Sequence, residues 1–294
     1  MDWDNLKVAL AVVQAGSLTG AAQRLGMDQT TAGRRLSALE TQLGSKLFIR
    51  SKSGFLPTDQ GQIVLADAER IEARLERMGD MLSNSQHGPS GIVRVMANTW
   101  MLQLLADQVF PNLLESSLGL ELRLSGRLPP TPLHGEATVS LWFDAAATGS
   151  DIAVPFCRVP YASYQSANFD CTSNNWVQFK DDDAHGPSFS RQVRKRLAKN
   201  AQVRLTATDA TILLAATRSG FGRCVLPMCL AKRDEGLIRA TGEMDRIERV
   251  LHIHINPATA DTKRVRTVIK GLRSGIEELL DAELFAAKHP LIDV

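Results

Sequence analysis

Three short amphipathic segments, each bounded by residues that start or stop a helix, fill the first 45 residues of the chain. The first segment spans about 4–15, follows Asp2 and ends at Gly16. The second segment has only two turns, begins after Ser17 and stops at Gly26. Asp and Ser cap free backbone N–H groups at helix starts, and glycine favours helix ends. We therefore predict two short helices here.

A third, longer helix is predicted after Asp28, which can cap it. Its apolar stripe comprises Ala32, Leu36, Leu39 and Leu43, which repeat at helical spacing. The opposite face and its flank carry Thr30, Thr31, Arg34, Arg35, Ser37 and Thr41. A short helix, a turn and a longer helix with hydroxyls and arginines in its first half suit reading of the DNA major groove. This pattern predicts a helix-turn-helix.

Two short apolar runs, KLFIR and GFLP, flank the polar turn SKSG and predict a hairpin that could act as a wing. Arg50 and Lys52 on this hairpin would contact phosphates. The whole chain has 34 Lys and Arg against 32 Asp and Glu, yet residues 29–57 have five against one. The alternative interpretation is a solvated basic face of an ordinary helical domain. Because the charge coincides with the predicted hairpin and turn, DNA binding is favoured.

A long polar helix is predicted from Thr58 to about Ser85. Its apolar positions follow the 4, 3 spacing of a coiled-coil seam: Val64, Ala68, Ile71, Leu75, Met78 and Leu82. So narrow a stripe needs a partner, either a second copy of the chain or this chain's own core. A dimer is favoured because a second helix-turn-helix adds a second half-site on DNA. The segment QHGPSG at 86–91 is interpreted as a hinge.

Beyond residue 91, apolar runs alternate with helical patterns, which predicts an α/β domain with parallel strands. Strands are predicted at 92–96, 120–124, 139–143, 203–205 and 223–227, and helices at 100–110, 190–200 and 209–220. His252 and His254 would face one side of a strand; with no third ligand in view, they are interpreted as hydrogen-bonded sheet residues and no metal site is predicted. No apolar run reaches membrane-spanning length and no export signal is seen, so a cytoplasmic location is expected.

The segment GSLTGAAQRLGMDQTTAGRRLSALETQLGSKLFIRSKSGFLPTDQG resembles the winged helix-turn-helix of LysR-type transcriptional regulators. The resemblance implies that Gln29, Thr30, Thr31, Arg34 and Arg35 lie on the recognition helix and that Arg50 lies on the wing. It also implies that the following helix is the dimerising linker. The chain departs from the usual pattern at two positions. The family usually has Pro or Ser where this chain has Thr30, and Ser where it has Gly33. Its base preference is therefore expected to differ.

Weaker motifs after residue 91 resemble the effector domain of the same family. The fold class implied is α/β: a winged helix-turn-helix over 1–58, a linker helix and hinge over 59–87, and a periplasmic-binding-protein-like effector domain over 88–294. The effector domain would have two subdomains, one over about 91–148 and 251–294 and the other over about 149–250. The effector candidates, all at predicted helix starts that favour anions, are Asn98, Thr99, Trp100, Thr208 and Asp209. The alternative for Thr208 and Asp209 is a plain capping role.

The function expected is that of a non-enzymatic, sequence-specific DNA-binding regulator controlled by a small-molecule co-inducer, with no other cofactor. Its expected partners are promoter DNA and further copies of the chain, as a homodimer or homotetramer, with RNA polymerase as a further candidate and no membrane. A solute-binding protein or an enzyme with a helical extension is the competing class. A thiol switch formed by Cys224 and Cys229 is a further alternative, against which buried free thiols are the commoner explanation.

Overall fold

A computed structural model describes residues 2–51, 54–82, 88–126, 137–144, 151–169, 173–180, 189–240, 244 and 246–285. The chain divides into two compact units. Residues 1–87 form most of the amino-terminal unit, and most residues from 88 onward form the carboxy-terminal unit.

The amino-terminal unit contains four helices and one hairpin in its described part. In chain order these are α1 (Trp3–Ala15), α2 (Leu18–Arg24), α3 (Gln29–Leu43), β1 (Phe48–Ser51), β2 (Gly54–Pro57) and α4 (Asp59–Leu82). The hairpin strands pair antiparallel, with Phe48 opposite Pro57 and Ser51 opposite Gly54. The three predicted helices, the hairpin and the long helix are all confirmed.

Local capping sets the helix boundaries of this unit. The side chains of Asp2, Ser17 and Asp28 each accept a hydrogen bond from a backbone N–H in the first turn of α1, α2 and α3. Gly16 and Gly44 end α1 and α3 in the left-handed conformation, with φ of 66° at both residues. Glycine adopts this conformation without the Cβ clash that other residues suffer.

One apolar core joins the helices of the amino-terminal unit. Ala32, Leu36 and Leu39 of α3 are buried in it, and Leu43 is partly buried against it, as the stripe predicted. Leu65 of α4 is fully buried in the same core. The first turns of the long helix therefore pack as part of the amino-terminal unit.

The carboxy-terminal unit is an α/β fold. Its elements are, in chain order, β3 (Ser90–Ala97), α5 (Thr99–Gln108), α6 (Phe110–Glu115), β4 (Gly119–Ser125), β5 (Ala137–Phe143), β6 (Ile152–Ser166), β7 (Asn175–Phe179), α7 (Phe189–Arg196), β8 (Gln202–Ala207), α8 (Ala210–Arg218), β9 (Cys224–Pro227), α9 (Met228–Ala231), β10 (Leu237–Arg239), β11 (Ile247–Ile255), α10 (Pro257–Ala260), α11 (Lys263–Leu280) and β12 (Glu283–Leu284). All five predicted strands are present. The predicted helix at 100–110 is divided between α5 and α6, with Pro111 near the start of α6.

The main sheet is mixed, so the expectation of parallel strands is only partly correct. Its strand order is β10-β6-β11-β5-β3-β4, with β9 and β12 also pairing with β6. Strands β3 and β4 pair parallel, as do β7 and β8 of a separate small sheet. Strand β6 pairs antiparallel with β9, β10, β11 and β12.

The long strand β6, which sequence patterning did not predict, is the central element of this sheet. Residues Ile152–Tyr161 pair with β11, and its last residues pair with β9 and β10. Pro155 and Pro160 argue against a central strand at the sequence level, because proline lacks the N–H group that a strand donates to its neighbour. Both prolines are nevertheless accommodated within the strand.

None of the helices in the described part of the chain combines the length and apolar character needed to span a membrane.

Two helical glycines differ in the space around them, which gives a matched test of the amino-terminal fold. A Cβ built on Gly61 of α4 would overlap the Leu47 carbonyl oxygen, whereas one on Gly33 of α3 would meet only a Leu18 methyl at 3.9 Å. We expect Gly61→Ala to lower the free energy of unfolding by about 1 to 3 kcal/mol through overpacking. Gly33→Ala should raise it by about 0.5 to 1 kcal/mol, since alanine is the better helix former. Urea unfolding followed by circular dichroism measures both, and equal effects of the two substitutions would contradict the packing described.

Candidate nucleic-acid interface and effector site

The first half of α3 presents polar side chains to solvent. Gln29, Thr30 and Arg34 are exposed, whereas Thr31 and Arg35 are half-buried. Among the described residues, no ion pair to Arg34 is found. These five are the predicted recognition-helix residues, and the three exposed ones are available for a partner.

Thr31 and Arg35 already have intramolecular partners. The Thr31 backbone N–H and hydroxyl both donate to the Asp28 carboxylate, at 2.8 and 2.7 Å. These bonds hold the pKa of Asp28 below its usual value. Arg35 lies 3.6 Å from the Asp4 carboxylate of α1. Both side chains therefore help to position α3 as well as lying beside its exposed face.

A buried carboxylate that the sequence analysis did not single out joins α3 to the hairpin. Glu40 accepts a hydrogen bond from the Leu47 N–H at 2.9 Å and forms an ion pair with Lys46 at 2.6 Å. The Thr58 hydroxyl donates to the Lys46 carbonyl oxygen at 2.8 Å and accepts from the Gly61 N–H at 2.9 Å, so it also caps α4. The hairpin is thus fixed at both its ends. Glu40 lies in the segment that resembles LysR-type regulators, and this resemblance was the only sequence signal that could have identified it.

Of the two predicted wing residues, the structure describes only the backbone of Arg50. Arg50 lies in β1, where its backbone is opposite Phe55. The Arg50 side chain and all of Lys52 lie outside the described residues.

The predicted coiled-coil seam of α4 divides into an intramolecular and an exposed part. Ala68 is 1% exposed and packs in this unit's own core, so its assignment to a dimer seam is corrected, and Val64 is partly buried against the same core. Ile71, Leu75 and Met78 are 42%, 44% and 51% exposed. The Leu82 side chain lies outside the described residues.

The effector candidates form two separate groups in the carboxy-terminal unit. Asn98 is the N-cap residue of α5, but its side chain makes no capping hydrogen bond; Thr99 is exposed and Trp100 is buried. Thr208 is exposed before α8, and the Asp209 carboxylate caps α8 by accepting from the Thr211 N–H at 2.8 Å. No hydrogen bond or ring contact among the described residues joins the two groups. For Asp209, the structure gives the capping role that was the alternative.

An aromatic cluster around Arg249 extends from Trp100 and was missed by the sequence analysis. The Trp100 and Phe143 rings stack with centroids 6.3 Å apart. Tyr161 contacts Phe143 edge to face at 5.8 Å and Phe189 at 5.2 Å. The Arg249 guanidinium carbon lies 4.3 Å from the Phe189 centroid, 4.6 Å from Phe143 and 5.5 Å from Tyr161. These side chains come from five elements, α5, β5, β6, α7 and β11, and only their tertiary contacts reveal the cluster.

Asp144 completes this cluster. Its carboxylate accepts a hydrogen bond from Arg249 Nε at 2.9 Å. Its φ of 52° lies in the left-handed region, which non-glycine residues seldom adopt and which Asp and Asn tolerate better than most. Burial raises the pKa of Tyr161, and the adjacent Arg249 opposes that rise.

The described cysteines lack the environment of reactive thiols. Cys157, Cys224 and Cys229 are buried, and burial raises the pKa of each thiol to about 12. Arg223, next to Cys224, donates to the Gln165 side chain at 3.1 Å. Because the reactive form of cysteine is the thiolate, a switch formed by Cys224 and Cys229 is disfavoured.

The two sheet histidines are less satisfied than expected. One nitrogen of each ring, His252 Nδ1 and His254 Nε2, is buried without a hydrogen-bond partner, so the interpretation of both as fully hydrogen-bonded residues is only partly correct. Burial lowers the pKa of His252 and lowers that of His254 to about 4. Within the described ranges, no group of three or more His, Cys, Asp or Glu side chains is arranged to hold a metal ion.

Comparisons with known proteins agree with this geometry. The family model of bacterial regulatory helix-turn-helix proteins of the lysR family matches residues 3–62. An HTH-type transcriptional regulator of Mycobacterium tuberculosis is 32% identical over 123 residues, which cover 42% of this chain and 38% of that protein. The alignments with the first such relatives thus span well under half of their length. PtxR of Pseudomonas aeruginosa is 24% identical over 257 residues, covering 80% of this chain and 79% of PtxR.

Solved structures share the fold along nearly the whole chain. A full-length OxyR variant from Pseudomonas aeruginosa superposes with a TM-score of 0.75 at 16% identity, over 99% of both chains. Full-length LysG from Corynebacterium glutamicum, solved with its effector arginine bound, gives 0.63 at 16% identity over 95% of this chain and 99% of LysG.

The unprotonated state of His254 predicts a pH-dependent stability. The ordinary histidine pKa is 6.5 and the folded value is about 4, so between these limits the unfolded chain binds a proton that the folded chain does not. The free energy of unfolding therefore falls as the pH is lowered from 6.5 towards 4, by up to about 1.4 kcal/mol per pH unit. The free energy of unfolding of His254→Leu should fall by about 1.6 kcal/mol less than that of the unmodified chain between pH 6.5 and 5.

Urea midpoints at pH 8, 6.5 and 5 test this difference. The carboxylates common to both proteins cancel, and the two curves should run parallel from pH 8 to 7. Parallel curves below pH 6.5 would show that His254 is not the group responsible.

Proposed function

We propose that this chain, a member of the lysR family by its helix-turn-helix domain, is a sequence-specific DNA-binding transcriptional regulator controlled by a small molecule. The observation that carries the proposal is the first half of α3. Gln29, Thr30 and Arg34 are exposed there on a capped helix whose opposite face is buried. Side chains near the start of a recognition helix reach base edges in the major groove, where arginine bonds guanine with two donors.

Backbone phosphates are the second part of the DNA target. Arg50 lies on the hairpin that Glu40 and Thr58 tie to α3 and α4. We infer that Arg50, Lys52 and Arg35 contact phosphates, which fix the register on DNA without reading sequence. DNA affinity is then expected to fall steeply as the salt concentration rises.

Dimerisation through α4 supplies the second DNA-binding head. Ile71, Leu75 and Met78 follow one another at seam spacing. These large apolar side chains remain exposed, so the core of the amino-terminal unit does not bury them. A parallel or antiparallel partner helix would bury them, and a dimer would bind two half-sites. A dimer of dimers is the further assembly expected.

The carboxy-terminal unit is proposed as the effector domain. LysG, which shares this fold, is described with bound arginine. A ligand that binds one arrangement of the unit better than another shifts the population of DNA-binding states. Asn98, Thr99, Trp100 and Thr208 stay proposed as effector contacts. Cytoplasmic location, contact with RNA polymerase and the absence of enzymatic activity are parts of the same proposal.

Arg34→Ala tests DNA recognition. If this side chain bonds a base, the substitution should weaken binding to selected sites by about 1 to 3 kcal/mol and relax the preference at one base position. Sequencing of genomic fragments retained by the purified full-length protein identifies the sites, and gel shifts measure the affinity. Arg246→Ala removes an exposed arginine of the other unit and serves as the control. Retention without any sequence preference would contradict the proposed function.

Leu75→Lys tests the dimer seam. A charge at this exposed position should leave the fold intact but prevent burial against a partner helix, so the chain should sediment as a monomer and lose specific DNA binding. Gln62→Lys adds the same charge at an exposed position off the seam of α4 and should change neither property. Undiminished affinity of Leu75→Lys would exclude α4 as the dimer contact.

A further inference from the structure

We propose that Arg249 is the anchor for a carboxylate-bearing effector with a flat apolar body, and that Asp144 occupies the position of that carboxylate in the described structure. This inference rests on the proposed function, since it names the chemical class of the molecule that would control DNA binding.

Among the described residues, aromatic rings lie against Arg249 and Asp144 is the acceptor at its edge. Phe189, Phe143 and Tyr161 lie against the guanidinium at 4.3, 4.6 and 5.5 Å from its central carbon. Aromatic rings attract a cation over their faces but offer no hydrogen-bond acceptor in its plane. The N–H groups of the guanidinium point outward in that plane, where they match the two oxygens of a carboxylate.

Asp144 uses only part of this bonding capacity. One oxygen, Oδ2, accepts a hydrogen bond from Arg249 Nε at 2.9 Å. Two parallel bonds to one carboxylate would be stronger than the single one observed. A ligand carboxylate could therefore replace Asp144 with a gain in bonding.

Asp144 is also placed to be displaced. Its side chain is 24% exposed and that of Arg249 only 11%, so a ligand that approaches from solvent meets Asp144 first. The left-handed backbone at Asp144 is strained for a residue with a Cβ, and such strain is often retained at ligand sites. The Asp144 backbone N–H donates to the Val250 carbonyl oxygen at 3.0 Å, which ties Asp144 to β11.

The neighbouring side chains define the body of the ligand. Phe143 is half-buried and stacks on Trp100, which favours a flat apolar group. Asn98 and Thr99 precede Trp100 with polar side chains, and the Asn98 side chain makes no capping hydrogen bond. An aromatic carboxylate fits this combination of a flat cation, ring faces and nearby polar groups.

The cluster also couples ligand binding to the rest of the unit. Phe189 starts α7, while Arg249 and Tyr161 lie on the paired strands β11 and β6. Exchange of Asp144 for a ligand carboxylate changes the contacts that hold these three elements together.

Sodium benzoate is the probe, with the neutral benzamide as its control of similar shape. Binding to the full-length protein is followed by tryptophan fluorescence and thermal unfolding, without DNA. Asp144→Asn removes the competing charge and keeps a residue that tolerates the left-handed conformation. We expect it to bind benzoate about tenfold more tightly than the unmodified chain, the increment typical of one charged hydrogen bond.

Two arginine variants complete the test. Arg249→Met should abolish the benzoate response. Arg249→Lys keeps the charge but loses the planar fork, so it should weaken the response, and it serves as the test if the methionine variant is poorly folded. Arg246→Met removes the exposed arginine paired with Glu248 at 3.1 Å and should respond like the unmodified chain. Benzamide should have no effect on any variant.

The proposal is overturned if Asp144→Asn binds benzoate no better than the unmodified chain, if neither protein responds, or if benzamide works equally well. In those cases the Arg249–Asp144 pair is a structural contact only. Because these measurements use no DNA, their outcome is independent of Arg34→Ala, whose result tests the proposed function alone.

Discussion

The carboxy-terminal unit depends on the pairing of β6 with β11. The two strands lie antiparallel from Ile152 opposite Ile255 to Tyr161 opposite Ile247. Strand β5 adds to β11, and β9, β10 and β12 add to β6. Every strand of the main sheet except β3 and β4 therefore contacts one of these two. The same strands carry Tyr161 and Arg249, so the backbone pairing that builds the sheet also assembles the aromatic cluster.

The amino-terminal unit follows a different principle. Its helices start and end at local signals, Asp2, Ser17 and Asp28 at the beginnings and Gly16 and Gly44 at the ends. These signals act over a few residues, so the sequence alone predicted the order and bounds of the helices. The tertiary contribution is smaller and specific: the buried carboxylate of Glu40 fixes the hairpin to α3.

The predicted sites also divide into those that follow from local spacing and those that depend on tertiary packing. The proposed recognition face of α3 follows from helical spacing, and Gln29, Thr30 and Arg34 lie on the exposed side of this helix. Spacing alone could not separate Ala68, which packs in the core, from Ile71, Leu75 and Met78, which stay exposed. All four occupy apolar seam positions of the repeat, Ala68 and Leu75 at one position and Ile71 and Met78 at the other. Which of these residues packs against the helix-turn-helix depends on the point along α4 at which the helix extends past the core.

By itself, the sequence determined the winged helix-turn-helix, the long helix and the α/β character of the remainder, because caps, stops and periodicity are local properties of the chain. Only the tertiary structure decided the strand order, the central place of β6 despite Pro155 and Pro160, and the partners of Glu40. It alone brought Asp144 to Arg249, which are 105 residues apart along the chain. Contacts between residues so distant depend on which strands pair, and no local pattern records that choice.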